Sequence, residues 1–200
     1  LSLSGNLDVG SGTLSLQSAG NLALGSNTLT SSHTGTAITL LSRSGVVTSN
    51  ANASGEVLAA SGHVVITASS GIDLDLQAAS VEATNSSNAI DLSEVDSLII
   101  KTVSNSGGGN IHIHTANGSL NDDSDAAIDI TTTGTLTLDA TTGIDLDTAV
   151  ATLDIDNSTS GNISINDSGA LVLTKVADAG TGDIVVTANN DLTVTGVAGN

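Results

Sequence analysis

Gly134-Thr135-Leu136-Thr137-Leu138-Asp139-Ala140-Thr141-Thr142-Gly143-Ile144-Asp145-Leu146-Asp147 reads as two short strands joined by a turn. Aliphatic and polar residues alternate in each half, which gives a strand one apolar side. Thr141-Thr142-Gly143 separates the halves, and glycine accepts the backbone angles that turns demand. The same text stands earlier as Gly62-His63-Val64-Val65-Ile66-Thr67-Ala68-Ser69-Ser70-Gly71-Ile72-Asp73-Leu74-Asp75, an offset of 134 − 62 = 72. Val81 and Leu153, and Asn85 and Asn157, keep the offset of 72; Ile90 and Ile163, Leu98 and Leu171, and Ile111 and Ile184 shift it to 73. A repeat that drifts by one residue over its whole length is a duplication of several similar units.

Shorter copies of the strand phrase fill the rest of the chain. Gly5-Asn6-Leu7-Asp8-Val9, Gly12-Thr13-Leu14-Ser15-Leu16 and Gly20-Asn21-Leu22-Ala23-Leu24 follow one another at intervals of 7 to 8 residues. Helical periodicity is absent. The 200 residues include no Cys, Met, Pro, Trp, Tyr or Phe, so the 38% hydrophobic fraction is Ala, Val, Leu and Ile. A rounded core would use aromatic bulk. A core of small aliphatics at close spacing fits stacked coils, each burying its apolar side against the next. The expected fold is all-β, a right-handed parallel β-helix (a β-solenoid), with handedness set by parallel crossovers. With about 18–24 residues per coil, the repeat would hold three or four coils and the chain roughly 8–11. A tandem β-sandwich would need longer antiparallel strands and a buried aromatic.

Residues 1–200 read as a single solenoid segment of a longer repetitive chain. Neither Leu1-Ser2-Leu3 nor Thr193-Val194-Thr195-Gly196-Val197 has the polar character of a solenoid cap. Bare ends would abut further coils or pair with another molecule, so end-to-end or lateral self-association is expected. The net charge of -18, from 21 acidic and 3 basic residues, excludes charge-driven binding of nucleic acid or anionic membrane. No apolar run approaches the roughly 20 residues of a membrane span. A mean hydropathy of +0.24 with regular alternation argues against disorder.

Gly161-Asn162-Ile163-Ser164-Ile165-Asn166-Asp167-Ser168-Gly169-Ala170-Leu171-Val172-Leu173 and Gly182-Asp183-Ile184-Val185-Val186-Thr187-Ala188-Asn189-Asn190-Asp191-Leu192-Thr193-Val194 resemble the repeats of filamentous-haemagglutinin-like large exoproteins. The resemblance covers nearly the whole chain and is compositional. It implies a bacterial cell-surface or extracellular protein, exported across an outer membrane, with structural or adhesive work in adhesion or a biofilm matrix. Cell-surface glycans are partners of that kind of rod. The rival function is a passive stalk that displays a separate domain.

Candidate chemistry is confined to carboxylates and histidines. Asp73/Asp75, Asp145/Asp147 and Asp154/Asp156 are pairs at i, i+2 that share the outward side of a strand, roughly 6–7 Å apart. Asn121-Asp122-Asp123-Ser124-Asp125 adds a looser group at a turn. Hard oxygen ligands suit Ca²⁺. The Gly-Gly-x-Gly-x-Asp motif of calcium β-rolls is missing, since Gly107-Gly108-Gly109-Asn110-Ile111 lacks the Asp. Solvated acidic faces with loosely held counter-ions are therefore the plainer expectation, with no dedicated cofactor. His112 and His114 share one strand side without an evident third metal ligand. Lys101, Lys175 and Arg43 close their strands and are expected to pair with nearby carboxylates. No enzyme is expected: acids repeat along the chain instead of converging, and there is no aromatic to stack a sugar. A calcium-dependent carbohydrate binder is a further alternative. Thr28-Leu29-Thr30, Thr135-Leu136-Thr137 and Thr193-Val194-Thr195 do not recur once per coil, which disfavours an ice-binding array.

Overall fold

The computed structural model of the chain describes residues 1–50 and 56–196, and the backbone of 198–199; Val197, part of the expectation about the chain's last strand, lies outside the described residues. The chain is a β-solenoid of about 9 turns at about 21 residues per turn, with no helix among the described residues. Every strand pairing among the described residues is parallel, each strand bonding to the strand one turn away. Among the described residues no helix is long and apolar enough to cross a membrane.

Two columns of inward side chains define the core. One runs Leu22, Val47, Ile72, Ile90, Ile111, Leu136, Leu153, Leu173, Val194, each a registered partner of the next. The other, 5 to 8 residues earlier along the chain in each turn, runs Leu16, Leu40, Ile66, Ala83, Val103, Ile130, Thr148, Asp167, Ala188. Strands stack about 4.8 Å apart. At that spacing like aliphatics pack on like, and one continuous hydrophobic cluster extends from Leu22 to Val176. Each buried Leu, Ile or Val contributes roughly 1.5–3 kcal/mol.

The 72-residue repeat corresponds to neither three nor four turns. Three register steps lead from Ile72 through Ile90 and Ile111 to Leu136. The repeat partner of Ile72 is Ile144, which lies half a turn further on, in the column Leu98, Leu120, Ile144, Ile163, Ile184. The duplicate is thus three and a half turns away and sits on the opposite face. The pairings confirm this. Val57–Ala68 runs beside Ile72–Asn85 with Val64 opposite Val81 and a register break between Ala59 and His63. Ile130–Ala140 runs beside Ile144–Asn157 with Leu136 opposite Leu153 and a break between Thr132 and Thr135. The two copies of the repeat thus use the same strand-and-corner arrangement on different faces.

Corners explain the buried polar residues. Where the chain bends away from its neighbour, backbone groups lose ladder partners and must find others. The last inward residue of the strand supplies them. Asn157 accepts from the Gly143 N–H at 3.0 Å and donates to the Ser160 carbonyl at 2.8 Å and to Asp178 at 3.1 Å. Asn85, its repeat partner, accepts from the Gly71 N–H at 2.9 Å and donates to the Ser87 and Asn88 carbonyls. Gly71 and Gly143 have φ of +131° and +123°, angles that side chains rarely tolerate. Buried carboxylates repeat in the same way. Glu94 accepts from the Ala78 N–H and Asp167 from the Val150 N–H, each at 3.0 Å.

Candidate functional site

The outward side chains form columns as regular as the core. On one face Thr48, Asp73, Asp91, His112, Thr137, Asp154 and Lys175 follow one another rung by rung. Beside them run Asp75, Ser93, His114, Asp139, Asp156 and Ala177. This face therefore collects four of the expected aspartates, Asp73, Asp75, Asp154 and Asp156, together with Asp91 and Asp139. Asp75 is nearly covered, where the alternation led us to expect an open side chain. Asp145 and Asp147 belong to the opposite face, a consequence of the half turn in the repeat's offset.

Cations are interleaved with these acids. His112 spans its neighbours, with Nδ1 3.2 Å from Asp91 and Nε2 2.9 Å from Asp139. The hydrogen bond to Asp91 leads a set of effects that raises the imidazole's pKa to about 9, against the opposing effect of burial. Both ring nitrogens are therefore engaged with carboxylates, so His112 has no free ring nitrogen to give a metal beside His114. Lys175 reaches Asp156 at 2.8 Å and Lys101 reaches Asp123 at 3.3 Å, the carboxylate pairing expected of them. Arg43 instead donates to the Gln17 side-chain carbonyl at 3.2 Å. Burial, then Asp91 and Asp75, raises the Asp73 pKa.

A denser carboxylate group lies where the chain makes its longest detour on the other face. Asp122, Asp123 and Asp129 place one carboxylate oxygen each within 4.8 Å of one another. Asp129 is 1% exposed and accepts the Asp147 N–H at 2.7 Å. Burial, followed by the nearby carboxylates of Asp122, Asp147 and Asp123, raises its pKa to about 7. Asp122 and Asp123 belong to the turn cluster legible in the sequence. Asp129 does not, because the hydropathy pattern misleads there: Ile128 is 39% exposed while Asp129 faces inward. Three carboxylates this close share negative charge that a proton or a hard cation would relieve.

The same face carries a shallow groove of about 250 Å³ lined by Ser119, Asn121, Asp145, Asn162 and Ser164, with Gly143 in its wall. Asn121, Asp145 and Ser164 are successive rungs of one outward column. Asn121 donates to the Ser119 hydroxyl at 2.9 Å, and Asn166 in the adjoining column donates to Asp147 at 3.0 Å. The groove thus presents hydroxyls, amides and one exposed carboxylate along the rod. No protein-family model, curated protein or solved structure matches the chain.

Proposed function

We propose that this chain is a structural or adhesive rod of a bacterial cell surface or extracellular matrix, of the kind that filamentous-haemagglutinin-like exoproteins build. The observation that carries this reading is the uninterrupted parallel stack of about 9 turns. Its interior is filled by side chains and its exterior by regular polar columns, an arrangement suited to span and display. The acidic surface keeps such a rod soluble and repels nucleic acid and anionic lipid.

Electron microscopy of the purified protein, joined to fibre diffraction, tests the reading. At about 4.8 Å per turn each copy should be a rod of roughly 40 Å with an axial repeat at the strand spacing. Particles many times longer establish head-to-tail assembly. Single short rods favour a stalk that carries a separate functional part. Compact particles with no axial strand repeat would refute the proposal.

A further inference from the structure

We propose that the column Ile99, Asn121, Asp145, Ser164 is a binding track for an uncharged, extended polysaccharide lying along the rod axis. This deepens the adhesive reading and rests on it. The four residues are registered partners on consecutive rungs. Three intervals at about 4.8 Å make a track of roughly 14 Å. One rung is close to the length of one sugar ring in an extended chain, so ring after ring meets an equivalent position.

The chemistry of the column fits such a ligand. Its centre is polar and concave, with the groove floor at Asn121, Asp145 and Ser164. Amide, hydroxyl and carboxylate groups are what sugar hydroxyls need, since each can accept a hydroxyl proton and two of the three can also donate. At one end it is apolar and open: Ile99 is 38% exposed and offers a surface for the C–H face of a ring. Gly143, in the groove wall, could not carry a side chain without crowding, because an added Cβ would lie 3.0 Å from the Asn162 carbonyl. The adjoining column of Asp147, Asn166 and Thr187 widens the polar floor. The net charge of -18 and the exposed Asp145 reject sulfated or uronic-acid chains.

Isothermal titration of the intact chain with cellohexaose and with the hexamer of N-acetylglucosamine tests this, with an alginate oligomer as the anionic comparison. We expect one or both neutral chains to bind and the alginate not to. Asp145→Ala should weaken binding at least tenfold, and Ile99→Ser should weaken it severalfold. Asp73→Ala, on the opposite face, should bind as the unaltered protein does. Circular dichroism verifies that each variant keeps its strands, and Ser164→Ala stands in for Asp145→Ala if that variant misfolds. Absence of binding to both neutral chains, unchanged affinity in Asp145→Ala, or preference for alginate would overturn the track. Rods seen by microscopy without glycan binding would overturn the track alone and leave the rod intact.

Discussion

Replacing Asn157 by Ala should cost the fold more than replacing its repeat partner Asn85. Asn157 serves two buried groups: it accepts from the Gly143 N–H and donates to the buried Asp178 carboxylate. The orphaned Gly143 N–H costs about 1–3 kcal/mol, and Asp178, which keeps the Gly180 N–H at 3.1 Å, loses one charge-assisted hydrogen bond of about 1.5–3 kcal/mol, so the loss should be about 2–6 kcal/mol. Asn85 leaves one buried orphan, the Gly71 N–H. Its donor bonds go to the carbonyls of Ser87 and Asn88, which are exposed and can turn to water. Asn85→Ala should therefore cost only about 1–3 kcal/mol. The two sites are three and a half turns apart and share no partner, so the double variant should be additive to within about 0.5 kcal/mol. Urea unfolding followed by circular dichroism measures the losses, with the denaturant slope as the check on cooperativity. Solenoids can open locally, so hydrogen exchange at the Gly143 amide localises the effect. A loss below about 1 kcal/mol for Asn157→Ala, or a larger one for Asn85→Ala, would refute the account of corners given above.

Stability should fall as pH rises. Glu94 and Asp129 both have pKa values raised to about 7, chiefly by burial. The folded state therefore holds protons that the unfolded chain has released, and this contribution is lost as pH climbs from the ordinary carboxylate range through about 7. His112 acts in the same sense, giving its full contribution below 6.5 and losing it as pH passes about 9. Thermal unfolding midpoints at pH 5 should thus exceed those at pH 9.5, and a rise over that range would contradict the burial of these groups. Asp129→Asn should raise stability at pH 8 by about 1–4 kcal/mol and flatten the pH profile, because the amide oxygen still accepts the Asp147 N–H. Calcium should raise the unfolding midpoint no more than sodium does at equal ionic strength. A saturable extra shift that Asp145→Asn or Asp154→Asn removes would instead make the paired aspartates specific ligands.

Strand alternation carried most of the fold. Once Leu136, Leu138, Ile144 and Leu146 point inward and there is no aromatic to fill a rounded core, a stack of coils is the arrangement that buries them. What alternation could not carry is which face a repeat lands on. Similar text reports similar local structure and is silent about the half turn that separates Ile72 from Ile144. The buried polar residues were within reach. Counting by twos from Ile90 and Leu92 arrives at Glu94, from Ile163 and Ile165 at Asp167, and from Leu153 and Ile155 at Asn157. The parity that places the aliphatics inside places these inside too, one position beyond the last apolar side chain. Asp129 gave no such warning, because the detour after Asp122 resets the parity and turns Ile128 outward. The groove was hidden for a different reason. Its residues are 19 to 24 positions apart and meet only through register.

A chain that lengthens by copying its 72-residue block does not simply grow. Each added block preserves inside and outside, because the strand parity is kept, yet it rotates whatever follows by about 180° around the axis. One extra block points a distal feature north where it had pointed south, and a second restores it. Length and azimuth are thereby tied together in such a lineage. Odd and even copy numbers yield rods of different compass bearing, and a population that varies copy number samples both sides of its surroundings without altering a single residue of the block.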